Sequence, residues 1–268
     1  MLFKNIFLKT LRDYRWTLFG WAIGLAVLVF LTVSFYPAFS SKAAGDLNKL
    51  FQQLPDALKA FVGNEADYTS PTGYLNSQLY VLNIPLFLII FGITLGSSLL
   101  AKEEDRGTLE LLLSAPKSRN QILIQKFLAT VIITVVLTGI IYLSTYLSAK
   151  IFNVAIGQRN LLLIHLPVFL IGMVSVSIAM LFSVVNGKRS TGIAVATIIM
   201  TLSYFINFFG MTVKWLKPLR KFTVFYFYGN QDVLVRGLNF KYLAVLSAIV
   251  IFGLLITLVI FNRRDLSI

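Results

Sequence analysis

LYVLNIPLFLIIFGITLGSSLL, residues 79–100, runs for 22 residues without a charged side chain. An α-helix rises about 1.5 Å per residue, so roughly 20 apolar residues cross the ~30 Å hydrocarbon layer of a bilayer with every backbone polar group bonded internally. Five more predominantly apolar stretches stand at Trp16–Tyr36, Ile122–Ala149, Leu161–Val185, Thr191–Phe209 and Tyr242–Phe261. The pattern predicts an all-α integral membrane protein with six transmembrane helices, organised as a single domain over residues 1–268.

Composition points the same way. The chain is 57% hydrophobic and 13% charged, with a mean hydropathy of +0.80, more apolar surface than a water-soluble domain needs. Its formal charge is +13, with 24 basic residues. Nearly all of these cations flank the apolar stretches, where lipid headgroups attract them. The partner this implies is the lipid bilayer, not nucleic acid. Lys4 to Arg15 precede the first apolar run as in a secretory signal, but that run is longer than an h-region and no small-residue cleavage motif follows cleanly, so the first span is predicted to be retained.

Lys4, Lys9, Arg12 and Arg15 before the first span, Lys188 and Arg189 after the fourth, and Arg263 and Arg264 after the sixth predict a multi-pass protein of the plasma membrane with both termini cytoplasmic. Lys214, Lys217, Arg220 and Lys221 then fall outside and run against that rule. The first fifteen residues alternate faces at helical spacing, with Phe3, Ile6, Phe7, Leu11 and Tyr14 opposite Lys4, Asn5, Lys9 and Arg12. This predicts an interfacial amphipathic helix. The outer segment 37–78 repeats leucine and phenylalanine at helical spacing from Leu47 to Val62 and stops at Gly63, predicting amphipathic helices there. Ser70-Pro71 reads as an N-cap and first-turn proline, so the second membrane helix starts ahead of its apolar run.

Several chemistries are excluded or unsupported. Cysteine is absent, which removes disulfides and thiolate sites. All eleven acidic residues lie outside the six stretches or at their edges, whereas proton relays and cation-coupling sites usually place a carboxylate at mid-membrane. A phosphate-binding loop could use only Gly187-Lys188, where Phe182 and Arg189 break the pattern. No metal-ligand or catalytic constellation appears, so the chain is not expected to be an enzyme or to hold a metal or cofactor. The single histidine, His165, near Pro167, is read as an amphipathic boundary residue.

Residues 102–121, between the second and third spans, hold the most coherent local signals. Gly107 interrupts the helix leaving the membrane, Thr108 can cap a new helix, and Glu110 puts a negative charge near its N-terminus. That helix carries Leu109, Leu111, Leu112 and Leu113, stops near Pro116, and gives way to Ser118-Arg-Asn-Gln121, a capping box opening the third span. Leucines crowded into a loop facing water need cover, from the protein's own helices or from a partner's groove.

The stretch KEEDRGTLELLLSAPKSRNQIL, residues 102–123, resembles the cytoplasmic loop of ABC-2 type permeases. LPDALKAFVG at 54–63, TSPTGYL at 69–75 and FNRRDL at 261–266 resemble the same family. The resemblance implies a permease subunit that pairs with a separate ABC ATP-binding subunit and with a second permease copy or homologous permease. It also implies that residues Thr108 to Ser114 form a coupling helix docking on the ATPase, with Gly107, Thr108, Leu109, Glu110, Leu111 and Leu112 at the contact. Glu103, Glu104 and Arg106 would link that helix to the membrane, and the N-terminal amphipathic segment would be an elbow helix. A path without buried charge suits an amphipathic or apolar exported substrate. A membrane assembly factor linked to an ATPase, or a stand-alone secondary transporter or channel, are the other readings.

Within the spans, Asn83, Pro85 and Asn207 are costly in lipid and so belong against protein or a water-filled path. Interhelical hydrogen bonding by the asparagines and bending at Pro85 explain them equally well. Gly20 with Gly24, and Gly92 with Gly96, have the small-residue spacing that lets helices approach closely.

Overall fold

The computed structural model describes residues 5–39, 70–105, 107, 117–229 and 233–264. Six helices in it are long and apolar enough to cross a membrane, and no strand occurs among the described residues. The first runs over Ile6–Ala38 and the second over Pro71–Ser98; their main helices are α1 (Ile6–Ser34) and α2 (Asn83–Ser98), and the other four spans are α3 (Arg119–Ile151), α4 (Gln158–Asn186), α5 (Arg189–Phe209) and α6 (Phe240–Arg263). The six expected spans are all present.

The helix ends follow local chemistry. The Asn5 side chain accepts from Leu8 N at the start of α1. The Ser118–Gln121 capping box opens α3 as its sequence predicts. Gly187 ends α4 in the left-handed region at φ +67°. Ser70 accepts from Gly73 N and Pro71 occupies the first turn, so the second span begins with a short helix, Pro71–Leu75. A π-helical turn, Asn76–Tyr80, leads from it towards α2. Pro85 has no N–H for the carbonyl one turn back, and beside this irregularity the Asn83 side-chain amide donates to Gln78 O.

The N-terminal segment differs from expectation. Residues 6–15, expected as a separate interfacial elbow, continue without a break into the first span. No glycine or proline lies between Ile6 and Phe19 to interrupt the turns, and the Tyr14 hydroxyl is bonded to Ser98 of α2 at 2.8 Å. The outer-loop helices expected within 37–78 fall mostly on residues outside those described, as does the expected coupling helix.

α4 is the hub. It packs most extensively on α2, and also against α6, α5 and α3, while α1 lies chiefly along α3. The α2–α4 seam depends on two glycines. A Cβ on Gly92 would strike Gly172 O and Ser175, and one on Gly96 would strike the backbone of Val176. Gly20 and Gly24 behave differently: a Cβ there meets nothing within 4 Å, and both line an open groove of about 450 Å³ with Trp16, Trp21, Leu28 and Phe87.

Polar side chains inside the bundle are largely satisfied within their own helix. On α3, the buried Thr134, Thr138 and Thr145 hydroxyls donate to the carbonyls of Thr130, Thr134 and Ile141. On α4, Ser175 donates to Ile171 O. Such bonds hide a hydroxyl in a low-dielectric interior without calling on a neighbouring helix.

Candidate functional site

The densest polar cluster lies where α2 leaves the bundle. Ala101–Asp105 form a last helical turn, and Glu103 and Glu104 stand on it. The two carboxylates turn towards the protein. Their side chains are 13% and 16% exposed.

Glu103 Oε1 takes Lys9 Nζ of α1 at 3.0 Å and Lys126 Nζ of α3 at 3.2 Å. Lys126 is only 5% exposed, and its ammonium also donates to Leu99 O at the end of the second span. One carboxylate thus joins three helices at a place where water does little screening.

Glu104 is held in a fork by Arg264, with Nη1–Oε1 at 2.8 Å and Nη2–Oε2 at 3.0 Å. The same guanidinium donates to Val184 O near the end of α4 at 2.9 Å. A Cβ on Gly187 would overlap both the Arg264 guanidinium and the Glu104 carboxylate, so glycine is required there twice, by backbone angle and by space. Arg119, the first residue of α3, donates to Phe261 O at 3.2 Å and Arg264 O at 2.9 Å. Through this pair of clamps α1, α2, α3, α4 and α6 meet within one ion-pair layer.

The expected ATPase-contact residues fall into three groups. Glu103 and Glu104 face inwards onto cations of the same chain. Gly107 is exposed and left-handed, at φ +63°, with its N–H on Glu104 O. Arg106, Thr108, Leu109, Glu110, Leu111 and Leu112 lie outside the described residues. The residues expected along a path are held locally: Asn83 on Gln78, Pro85 buried in α2, and Asn207 accepting from Arg220 Nε at 3.3 Å. No hydrogen bond among the described residues joins Asn83 to Asn207.

Lys126, Arg264 and Lys9 are partners that reading the sequence did not assign to the two glutamates. Lys126 carried a signal, since a charge four residues inside an apolar stretch demands a counter-ion. The expectation for His165 is corrected. It is 7% exposed, with Nδ1 at 2.7 Å from Leu161 O and Nε2 at 3.4 Å from the Tyr80 hydroxyl, between the rings of Tyr80 and Tyr142. The reason is periodicity. His165 shares a helical face with Leu161, Val168 and Gly172, which is the buried face of α4.

This ion-pair layer ties five membrane helices to the base of a short connecting segment. Residues 4–266 match the family described as ABC-2 family transporter protein. The chain belongs to the ABC-2 transporter family. No curated protein matches it. As an ABC-2 family member with six membrane-crossing helices it is a permease component, the membrane transport part of an ABC transporter. In an ABC-2 permease, association with an ABC ATPase subunit and with the bilayer is implied by the family itself.

Proposed function

We propose that this ABC-2 permease exports an amphipathic or apolar compound, and that ATP hydrolysis in a separate subunit drives it through the connection between α2 and α3. Two membrane copies, identical or homologous, would pair with two ATPases, and both termini would be cytoplasmic. The observation that carries this reading is the double clamp at Glu103 and Glu104. A push arriving on residues 106–117 reaches a helical turn whose two carboxylates are already bonded to α1, α3 and the junction of α4 with α6. Displacement there is therefore delivered to the bundle rather than absorbed by a loose loop.

The leucines at 109, 111, 112 and 113 supply the contact surface in this reading, with Thr108 and Glu110 fixing the start of the helix that bears them. Exchange of Leu111 and Leu112 for aspartate tests it. The expected result is a permease that inserts normally while its copurified ATPase loses transport-linked hydrolysis by an order of magnitude or more. Unchanged transport with unchanged assembly would overturn the docking role. The unaltered complex in reconstituted vesicles separates export from an assembly role, because an assembly factor would show no cargo-stimulated ATP hydrolysis.

A further inference from the structure

The opposite end of the bundle carries a second charged feature that coupling does not use. α5 has 21 residues, about 30 Å of helix, so Gly210 lies at the far membrane surface from the Glu103 cluster. From there to Gly229 the sequence is GMTVKWLKPLRKFTVFYFYG, with four cations and no acid.

The segment is fixed to the protein by one of those cations. Arg220 folds back over Gly210, where a Cβ would collide with its methylenes, and bonds Asn207 at 3.3 Å. Its guanidinium also stands 5.8 Å from the centre of the Tyr226 ring. With Arg220 turned inwards, the other three cations point away. Lys214, Lys217 and Lys221 are exposed, and so are Trp215 at 72% and Phe222 at 86%. No ion pair holds any of the three lysines among the described residues.

Neighbouring elements extend the collar. Lys150 is the last residue but one of α3, Arg159 the second of α4, and Lys241 the second of α6, beside the exposed Phe240. The described acids, Asp13, Glu103, Glu104 and Asp105, belong to the ends of α1 and α2 on the other side. Large bare rings alternating with unpaired ammonium groups do not suit bulk water. They match the boundary where acyl chains meet phosphates: rings enter the apolar layer, and lysine stems carry their charge up to the headgroups.

We propose that residues 214–222, with Lys241, form a docking surface for anionic phospholipid in the leaflet at this end of the permease. Zwitterionic lipid satisfies the rings alone. Anionic lipid satisfies both rings and cations, since each lysine near a negatively charged surface strengthens association about fivefold. The collar thus selects its annular lipid by charge, and it does so whatever cargo the bundle carries.

The test uses the full-length permease in nanodiscs of phosphatidylcholine with phosphatidylglycerol. Trp16→Phe with Trp21→Phe leaves Trp215 as the sole indole. Bromine is placed on the acyl chains of one lipid or the other, and quenching is compared. The expected result is severalfold stronger quenching by brominated phosphatidylglycerol at equal mole fraction, lost in the Lys214→Gln/Lys217→Gln/Lys221→Gln variant and reduced by high salt. Equal quenching by the two lipids, or a preference that survives removal of the three lysines, overturns the proposal. Failure of both lipids to quench Trp215 also overturns it, because the segment would then be covered by protein. If the tryptophan exchanges prevent folding, native mass spectrometry of the wild-type chain and the triple lysine variant counts retained lipids. Preferential retention of phosphatidylglycerol only by the wild type is then the supporting outcome, and equal retention the refuting one.

Discussion

Replacing Glu103 by glutamine should strand an ammonium group inside the bundle. The Lys126 side chain is 6% exposed and 3.2 Å from the carboxylate, whereas Lys9 is 21% exposed at 3.0 Å. Removing one partner of a buried pair costs about 3–5 kcal/mol, and an exposed pair is worth about 0–1 kcal/mol. Glutamine keeps the volume and one acceptor oxygen, so the lower figure applies, about 3 kcal/mol, or on the order of a hundredfold in the unfolded population. Lys9→Gln should cost no more than about 1 kcal/mol by the same logic. Glu103→Gln combined with Lys126→Met should recover most of the loss, since no buried charge is then left alone. Reversible unfolding in mixed micelles, followed by tryptophan fluorescence, gives the double-mutant cycle. The coupling of Glu103 with Lys126 should exceed that with Lys9 by about 2 kcal/mol. Equal couplings, or a Glu103→Gln variant as stable as the parent, would refute the account of a buried, shared carboxylate.

Three other perturbations have defined outcomes. Gly96→Leu should destabilise the purified chain by about 1–3 kcal/mol or more, because its Cβ meets the α4 backbone, whereas Gly24→Ala should stay within about 0.5 kcal/mol; comparative unfolding of the two variants checks this. Arg264→Lys keeps the charge but loses the fork on Glu104 and the bond to Val184 O, so about 1 kcal/mol of stability should go. In the reconstituted complex the same change should lower coupled ATP hydrolysis severalfold, with subunit assembly intact by size-exclusion chromatography. His165→Leu should cost about 1–2 kcal/mol, read in the same unfolding assay, through the partner removed from the Tyr80 hydroxyl, which retains Thr145 at 3.3 Å.

The six spans were readable because hydrocarbon thickness imposes a length that sequence must obey, and the Ser70-Pro71 and Ser118–Gln121 starts were readable because caps are local. The clamp was less so. Glu103 and Glu104 could be singled out, but their partners come from positions 9, 126 and 264, and nothing in the spacing of a single chain tells which distant helices touch. The two glycine pairs make the same point: identical spacing on α1 and α2 leads to an open groove in one case and backbone contact in the other. His165 was misplaced because its nearness to a span end outweighed its face. The irregular start of the second span, which brings Tyr80 over it, has no clear sequence signature beyond Pro85.

The bare-backbone seam between α2 and α4 has a mechanical consequence. Side chains that interdigitate can slip to a new rotamer and let helices slide by fractions of a turn, but two backbones in direct contact at Gly92 and Gly96 have no such slack. A tilt imposed on α2 would then be shared with α4 at this seam instead of being taken up by rotamer changes.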